Sequence, residues 1–205
     1  VDEARGAVDA GADALGLVSA MPSGPGVIDE ATIAAVADWA PRSVRTFLLT
    51  CLRDADAIAA QHARCRTTTV QLVDHVPHEH LRRLRALLPD TELVQVVHVA
   101  GAATIDEARA AAPWVDAILL DSGNLGGALK ELGGTGRTHD WSVSRRIRDA
   151  VTVPVWLAGG LHAGNAAAAV AAVDPHGLDL CSGVRTAGRL DPDRLRAFFR
   201  ALDER

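Results

Sequence analysis

Glycine-rich segments follow each of the last three apolar runs of the sequence, and glycine lets a backbone approach a ligand closely. These segments are GGTGRT at 133–138, AGG at 158–160 and SGVR at 182–185. They either make tight turns only or expose main-chain N–H groups, which bind phosphate readily where a helix begins. We favour the second interpretation, a phosphate site whose candidate ligands are Gly134, Thr135, Gly136, Gly159, Gly160, Ser182 and Gly183.

Two carboxylates and two arginines lie beside these segments. Asp121 ends the apolar run AILLD, where its side chain would serve as a general acid or cap the amides of the next loop. Asp179 lies inside the run LDLC and either contacts ligand hydroxyls or forms a structural pair. Arg137 and Arg185 flank the phosphate segments and are candidate substrate-binding residues, with plain solvation as the alternative.

Short apolar runs alternate with amphipathic segments along the whole chain, a pattern typical of parallel strands covered on both faces by helices. Seven strand–helix repeats, about 25 residues apart, follow an initial helix. We therefore predict an α/β fold, a single (β/α)8 TIM barrel over residues 1–205 whose first strand is missing from the chain, with a doubly wound open sheet as the alternative. The predicted strands are 14–18, 44–50, 68–73, 92–99, 117–121, 153–157 and 178–181.

An absent first strand would leave two parallel edges unpaired, so we expect about ten further residues upstream in the natural protein.

The composition of the chain limits the classes of partner that it could bind. With 21 basic against 26 acidic residues and no basic patch, nucleic acid is not a predicted partner. No apolar run approaches the roughly 20 residues that span a bilayer, so no membrane partner is predicted. Three cysteines without CxxC spacing indicate reduced thiols and a cytoplasmic location. No grouping of residues has metal-ligand spacing, and we predict no metal and no cofactor.

Five segments carry a resemblance to a known family. The strings DAGADALGLV, LLDS, GGTGRTHDW, PVWLAGGL and GLDLCSGVR resemble phosphoribosylanthranilate isomerase, a barrel enzyme of tryptophan biosynthesis. The resemblance extends over nearly the whole chain and implies an Amadori rearrangement of an aminoaldose phosphate to an aminoketose phosphate. It further implies that Asp121 is the general acid and that the glycine-rich segments bind the phosphate group of the substrate.

Three departures from the family pattern concern the other end of the substrate. The family base is a cysteine in a K-x-C-G motif, which this sequence lacks, and Cys51 and Cys181 end other strands. The family segment S-P-R-x-V appears as SGPGV at 23–27, without the arginine. The family segment Q-L-H-G appears as QLVD at 71–74, and His75 is either a substitute or an ordinary surface histidine.

Two functions therefore remain open. The first is an isomerase of this type, slowed by about 10²–10⁴ if a general base is lost. The alternative is a paralogue that binds a phosphorylated sugar with altered or no catalysis. In either case the predicted partner is a phosphorylated small molecule, and the predicted assembly is a monomer or homodimer. His98, on a predicted strand, points into the barrel as a site residue or is a hydrogen-bonded core histidine.

Overall fold

The computed structural model of the chain describes residues 1–22, 26–122 and 138–203. No helix within these ranges is long and apolar enough to cross a membrane. In chain order the elements are α1 (Asp2–Asp9), β1 (Ala14–Val18), α2 (Glu30–Trp39), β2 (Arg45–Thr50), α3 (Ala55–Cys65), β3 (Thr69–Leu72), α4 (His78–Leu87), β4 (Glu92–His98), α5 (Thr104–Ala111), β5 (Ala117–Asp121), α6 (Trp141–Ala150), β6 (Val155–Leu157), α7 (Ala166–Val173), β7 (Gly177–Leu178), β8 (Arg185–Thr186), β9 (Arg189–Leu190) and α8 (Pro192–Asp203). Short 3-10 helices span Ala112–Trp114 and Ser182–Val184.

The strands β1 to β7 form one parallel sheet whose spatial order follows the chain order. A doubly wound sheet reverses its strand order at a switch point, so the sequential order confirms the predicted barrel topology. Within the described residues β1 pairs only with β2, and β7 pairs only with β6. These seven strands correspond to the second to eighth strands of an eight-stranded barrel, as the alternation in the sequence predicted.

Two layers of apolar side chains cover the two faces of the sheet. Alternate residues of a strand point to opposite faces. Val94, Val96 and Leu119 belong to a cluster inside the barrel, whereas Leu93 and Leu120 pack against the surrounding helices. Both faces are therefore buried, which explains why the strands are apolar at successive positions.

Helix ends follow the signals that the sequence contains. The Asp29 carboxylate accepts a hydrogen bond from the Thr32 amide at 2.6 Å and so caps α2. Helix α1 ends at Asp9, and Gly11 follows it with a left-handed φ of 105° and donates its amide to the Val8 carbonyl at 3.0 Å. The amide of Ala12 then bonds the Ala7 carbonyl, also at 3.0 Å, which completes a Schellman motif.

The prediction of a strand over 178–181 was wrong in its extent. Strand β7, the last strand of the parallel sheet, covers only Gly177–Leu178. Cys181 precedes a 3-10 helix instead of ending a strand. The last ladder contact is the bond from the Asp179 amide to the Leu157 carbonyl at 2.8 Å, after which the backbone turns away. A hairpin of β8 and β9 that was not predicted follows, and its turn residues Ala187 and Gly188 both have positive φ.

We predict that Gly177→Ala lowers the free energy of unfolding by about 1–3 kcal/mol, because overpacking a core costs about that amount. A Cβ atom at Gly177 would lie 2.6 Å from a ring carbon of Trp156, inside the barrel. Urea denaturation measures the effect. Gly6→Ala is the matched control, since a Cβ there would lie 3.8 Å from Leu190 and alanine favours a helix. Equal stabilities of the two variants would contradict the packing argument.

Candidate active site

The register of the strands aligns four inward-facing residues across the mouth of the barrel. His98 pairs with Asp121, and the neighbouring pairs Leu119–Trp156 and Trp156–Gly177 continue the same alignment. Two residues further along each strand, Asp121 is level with Ala158 and Ala158 is level with Asp179. We call His98, Asp121, Ala158 and Asp179 the mouth row.

Asp121 is the most deeply placed acid of the mouth row. It remains 8% exposed, and its Oδ1 accepts a hydrogen bond from the Ser122 amide at 2.7 Å. Burial raises the pKa of the Asp121 carboxyl, and the bonds from Ser122 and the nearby His98 oppose this effect only in part. A carboxyl that keeps its proton beyond the usual pH range is suited to general-acid chemistry.

Asp179 lies just beyond β7, on the inward side, and retains partial exposure. Burial raises the pKa of its carboxyl to about 6, and repulsion from the Asp121 carboxylate adds to the increase. Two carboxyls this close titrate as a pair, since ionising one disfavours ionising the other. The pKa of Asp121 is raised as well, so both carboxyls of the mouth row take up a proton at a higher pH than an exposed aspartate does.

The turns after β6 and β7 pack tightly against each other and against the end of β5. Gly159 and Gly160 have φ values of 86° and 63°, which lie in the left-handed region that favours glycine. A Cβ atom at Gly159 would lie 2.9 Å from Ser122 Oγ. A Cβ atom at Gly183 would lie 1.9 Å from the Leu161 carbonyl oxygen. Only glycine permits these approaches, so the glycines bring the two turns together.

The N–H groups of these turns are free to bind a ligand. Within the described ranges the amides of Gly159, Gly160, Ser182 and Gly183 donate to no other protein group. The 3-10 helix Ser182–Val184 begins at this point. In barrel enzymes the phosphate site is typically built from the loops after the last two strands and the start of a short extra helix.

Four predicted site residues lie outside the described residues, namely Gly134, Thr135, Gly136 and Arg137. Arg185 has other partners: its guanidinium bonds the Gly188 carbonyl at 2.7 Å and pairs with Glu3 at 3.0 Å. These contacts connect the β8–β9 hairpin to α1, a structural role that the sequence did not indicate.

The residues near β3 show how the site departs from the family pattern. Val73 faces the barrel interior, where the resemblance implies a histidine. His75 is exposed, with its ring 3.9 Å from the Glu107 carboxylate, which supports its interpretation as a surface residue. His98 is the imidazole that does reach the interior, and its Nε2 lies 3.0 Å from the Val73 carbonyl oxygen.

A cavity of about 430 Å³ lies between the residues that follow β4 and β5 and the start of α6, and none of the mouth-row residues lines it. Ser122 and His139 are among its lining residues. His139 Nε2 lies 2.7 Å from Ser144 Oγ, and burial lowers the pKa of this histidine to about 4. In the described part of the chain, no three histidine, cysteine or carboxylate side chains are grouped so that they could hold a metal ion.

A family model described as N-(5'-phosphoribosyl)anthranilate (PRA) isomerase matches residues 5–201. The chain belongs to the phosphoribosylanthranilate isomerase family. Isomerases of that name are similar to it over most of their length. The relative from Haloferax volcanii is 39% identical over 198 residues, which cover 95% of this chain and 86% of the relative. The relative from Desulforudis audaxviator is 35% identical and covers 100% of this chain and 94% of its own.

Solved structures of the family share the fold. The phosphoribosylanthranilate isomerase of Thermotoga maritima superposes with a TM-score of 0.84 at 25% identity, covering 100% of this chain and 94% of that one. A structure of the family's isomerase in complex with reduced 1-(o-carboxyphenylamino)-1-deoxyribulose 5-phosphate has a TM-score of 0.81 at 23% identity and covers the same shares. These matches confirm the barrel fold and the family that the sequence motifs indicated.

We predict that Asp179→Asn stabilises the protein at pH 7 by about 2–3 kcal/mol, because a difference of one in pKa corresponds to about 1.4 kcal/mol. A carboxyl whose pKa is raised in the folded state stabilises that state below its unfolded pKa of 3.8, and the stabilisation is lost as the pH rises through about 6. Amide substitution removes this dependence, so the gain should shrink towards pH 4.

Urea denaturation at pH 4, 5, 6 and 7 measures the effect on the free energy of unfolding. Asp90→Asn, at an exposed carboxylate, is the control and should change stability little at any of these pH values. A pH-independent difference between Asp179→Asn and the native chain would contradict the electrostatic explanation.

Proposed function

We propose that the chain catalyses the isomerisation of N-(5'-phosphoribosyl)anthranilate in tryptophan biosynthesis, with Asp121 as the general acid. The observation that carries this proposal is a buried carboxyl with a raised pKa beside turns whose amides donate to none of the described residues. The acid protonates the ring oxygen of the aminoaldose phosphate and the ring opens to an iminium ion. A base then takes the C2 proton, and the resulting enolamine tautomerises to the aminoketose phosphate. Family membership supports the same reaction.

The phosphate group is assigned to the turns after β6 and β7. Gly159, Gly160, Ser182 and Gly183 would supply main-chain N–H donors, and the start of the 3-10 helix adds a favourable partial charge. Gly134, Thr135 and Gly136 remain predicted ligands from the sequence. Asp179, at the β7 end of the mouth row, is a candidate partner for the sugar hydroxyls, and its partial exposure leaves it accessible.

The proposal also includes the assembly and the location of the protein. We expect a cytoplasmic protein that is a monomer or a homodimer. For the Thermotoga maritima isomerase, monomers generated from a dimeric enzyme have been crystallised. Size-exclusion chromatography with light scattering distinguishes the two assemblies here.

We predict that Asp121→Asn lowers kcat by about 10²–10⁴, the usual contribution of general acid–base catalysis. A general acid must hold its proton, so kcat of the native chain should fall as the pH rises through the pKa of Asp121. Product formation from phosphoribosylanthranilate, measured from pH 5 to 9, tests both expectations. Asp106→Asn is the control, because this side chain is 84% exposed on a helix. Unchanged turnover by Asp121→Asn would exclude Asp121 as the acid.

Complementation of a tryptophan auxotroph that lacks the isomerase tests the overall activity. Growth with the native chain and no growth with Asp121→Asn is the expected result. A folded native chain that binds the substrate but neither supports growth nor turns it over would favour the alternative, a phosphosugar-binding paralogue.

We predict that Gly183→Ala abolishes the thermal stabilisation that inorganic phosphate gives the native chain. The added methyl would meet the Leu161 carbonyl oxygen, so the turn must shift and its amides no longer converge. Tm is measured with and without phosphate, and circular dichroism verifies the fold. Gly6→Ala serves again as the control and should respond to phosphate as the native chain does. Full stabilisation of Gly183→Ala by phosphate would place the anion elsewhere.

A further inference from the structure

Arg53, in the turn after β2, has hydrogen-bond donors that no described residue uses. Its Nε donates to the His75 carbonyl oxygen at 2.8 Å, in the neighbouring turn after β3. Nη1 and Nη2 make no hydrogen bond or ion pair within the described part of the chain, and the side chain is exposed. One contact therefore holds the guanidinium beside the turns after β2 and β3 and leaves both terminal nitrogens for a ligand.

The positive charge of Arg53 has no equal on its side of the barrel mouth. The described residues of the turns after β1, β3, β4 and β5 include neither lysine nor arginine. Arg185, after β7, pairs with Glu3. The carboxylate next to Arg53 caps a helix instead, since Asp54 Oδ1 accepts a hydrogen bond from the Ala57 amide at 2.9 Å. An anionic group that reaches these turns would thus meet Arg53.

The order of the sheet places Arg53 opposite the turns to which the phosphate group is assigned. In an eight-stranded barrel, four positions along the sheet lead to the opposite side. β2 and β3 are each four strands from β6 and β7, respectively. The proposed substrate carries its phosphate on C5 of the ribose and the anthranilate nitrogen on C1. A substrate that spans the mouth would therefore bring its carboxyphenyl group to the side of Arg53.

Apolar side chains near Arg53 suit the ring that bears this carboxylate. Met21 and Cys51 are partly buried and pack against the cluster inside the barrel. Cys51 Sγ lies 3.5 Å from the Ala20 carbonyl oxygen, so the turns after β1 and β2 are in contact. Leu52, next to Arg53, is a large apolar side chain that remains 36% exposed. An aromatic ring at this place would cover apolar surface, and contacts between sulfur and aromatic rings are favourable.

We propose that Arg53 is a specificity-determining residue whose Nη1 and Nη2 donate hydrogen bonds to the carboxylate of the anthranilate ring. This inference rests on the proposed function, since it takes the ligand to be phosphoribosylanthranilate. The planar guanidinium matches the geometry of a carboxylate, and hydrogen bonds between two charged groups are stronger than neutral ones. The ring carboxylate takes no part in the bond changes, so Arg53 contributes to binding and selects substrates that carry this group.

Arg53→Gln is the decisive variant, because the amide nitrogen of glutamine occupies the same position along the side chain as Nε of arginine. It can keep the bond to the His75 carbonyl oxygen, and it removes Nη1, Nη2 and the charge. Arg53→Lys keeps the charge without the planar group, and Arg53→Met removes the charge and every donor. Arg82→Met is the matched control, since Arg82 is an exposed arginine of α4 without a partner among the described residues.

Isothermal titration calorimetry measures the Kd of three probes. They are reduced 1-(o-carboxyphenylamino)-1-deoxyribulose 5-phosphate, the same molecule without its ring carboxyl, and inorganic phosphate. The native chain and Arg82→Met should bind the carboxylated analogue about 10- to 150-fold more tightly than the other, the range for hydrogen bonds to a charged group. Arg53→Gln and Arg53→Met should lose most of this preference, and Arg53→Lys should keep part of it. Inorganic phosphate should bind all five proteins alike.

Steady-state kinetics give a second readout. The interaction of Arg53 with the ring carboxylate is the same before and during the reaction, so Arg53→Gln should raise KM and leave kcat nearly unchanged. A lower kcat at unchanged KM would contradict a role in binding.

The outcomes of the titration distinguish this inference from the proposed function. An equal preference of the native chain and Arg53→Gln for the carboxylated analogue overturns the role of Arg53, while the isomerase assignment stands. A weakening of Arg53→Gln that is the same for both analogues indicates a displaced turn and overturns it as well. Absence of any binding of either analogue to the native chain overturns both proposals.

Discussion

The removal of water from the Asp121 carboxyl is the constraint on which the site depends. The other four residues of β5, Ala117 to Leu120, are all apolar, because both faces of this strand are buried. A carboxyl at the end of such a strand is poorly hydrated, so its neutral form is favoured. The Ser122 amide donates a hydrogen bond to Oδ1 of Asp121, which replaces part of the lost hydration and holds the side chain in place. The same burial that stabilises the barrel thus raises the pKa of the Asp121 carboxyl.

The negative charges in and near the mouth row also favour the protonated form of the carboxyls. Asp179 and Asp121 repel each other when both are ionised. A dianion bound at the turns after β6 and β7 would add negative charge nearby and further favour the protonated carboxyls. The proposed binding by main-chain N–H groups would suit this arrangement, because it would stabilise a phosphate without a cation that lowers the pKa values of the acids. Arg185 is consistent with this view, since its charge is used on Glu3.

Much of this arrangement is local, and local features can be predicted from sequence. Apolar runs specified the strands, Asp29 and Gly11 marked helix ends, and the run AILLD placed Asp121 at the end of a strand. The short β7 and the β8–β9 hairpin were missed, because they depend on contacts distant in sequence. One such contact is between Trp156 and Gly177. Another is made by Glu3, which accepts hydrogen bonds from Arg185 and from the Leu190 amide. The partner of His98 Nε2 is likewise a carbonyl 25 residues away in the sequence. The alternation of inward and outward residues would have placed His98 beside Asp121 once the register was known.

Ala158 shows how the fold reconciles two carboxyls that disfavour each other. It lies between Asp121 and Asp179 in the mouth row and is itself buried, so no charged or bulky side chain separates them. A large apolar residue there would crowd the two carboxyls, and a basic residue would pair with the acids and lower their pKa values. A small apolar residue does neither. It adds neither charge nor a hydrogen-bonding side chain, so nothing at this position offsets the burial that raises both pKa values.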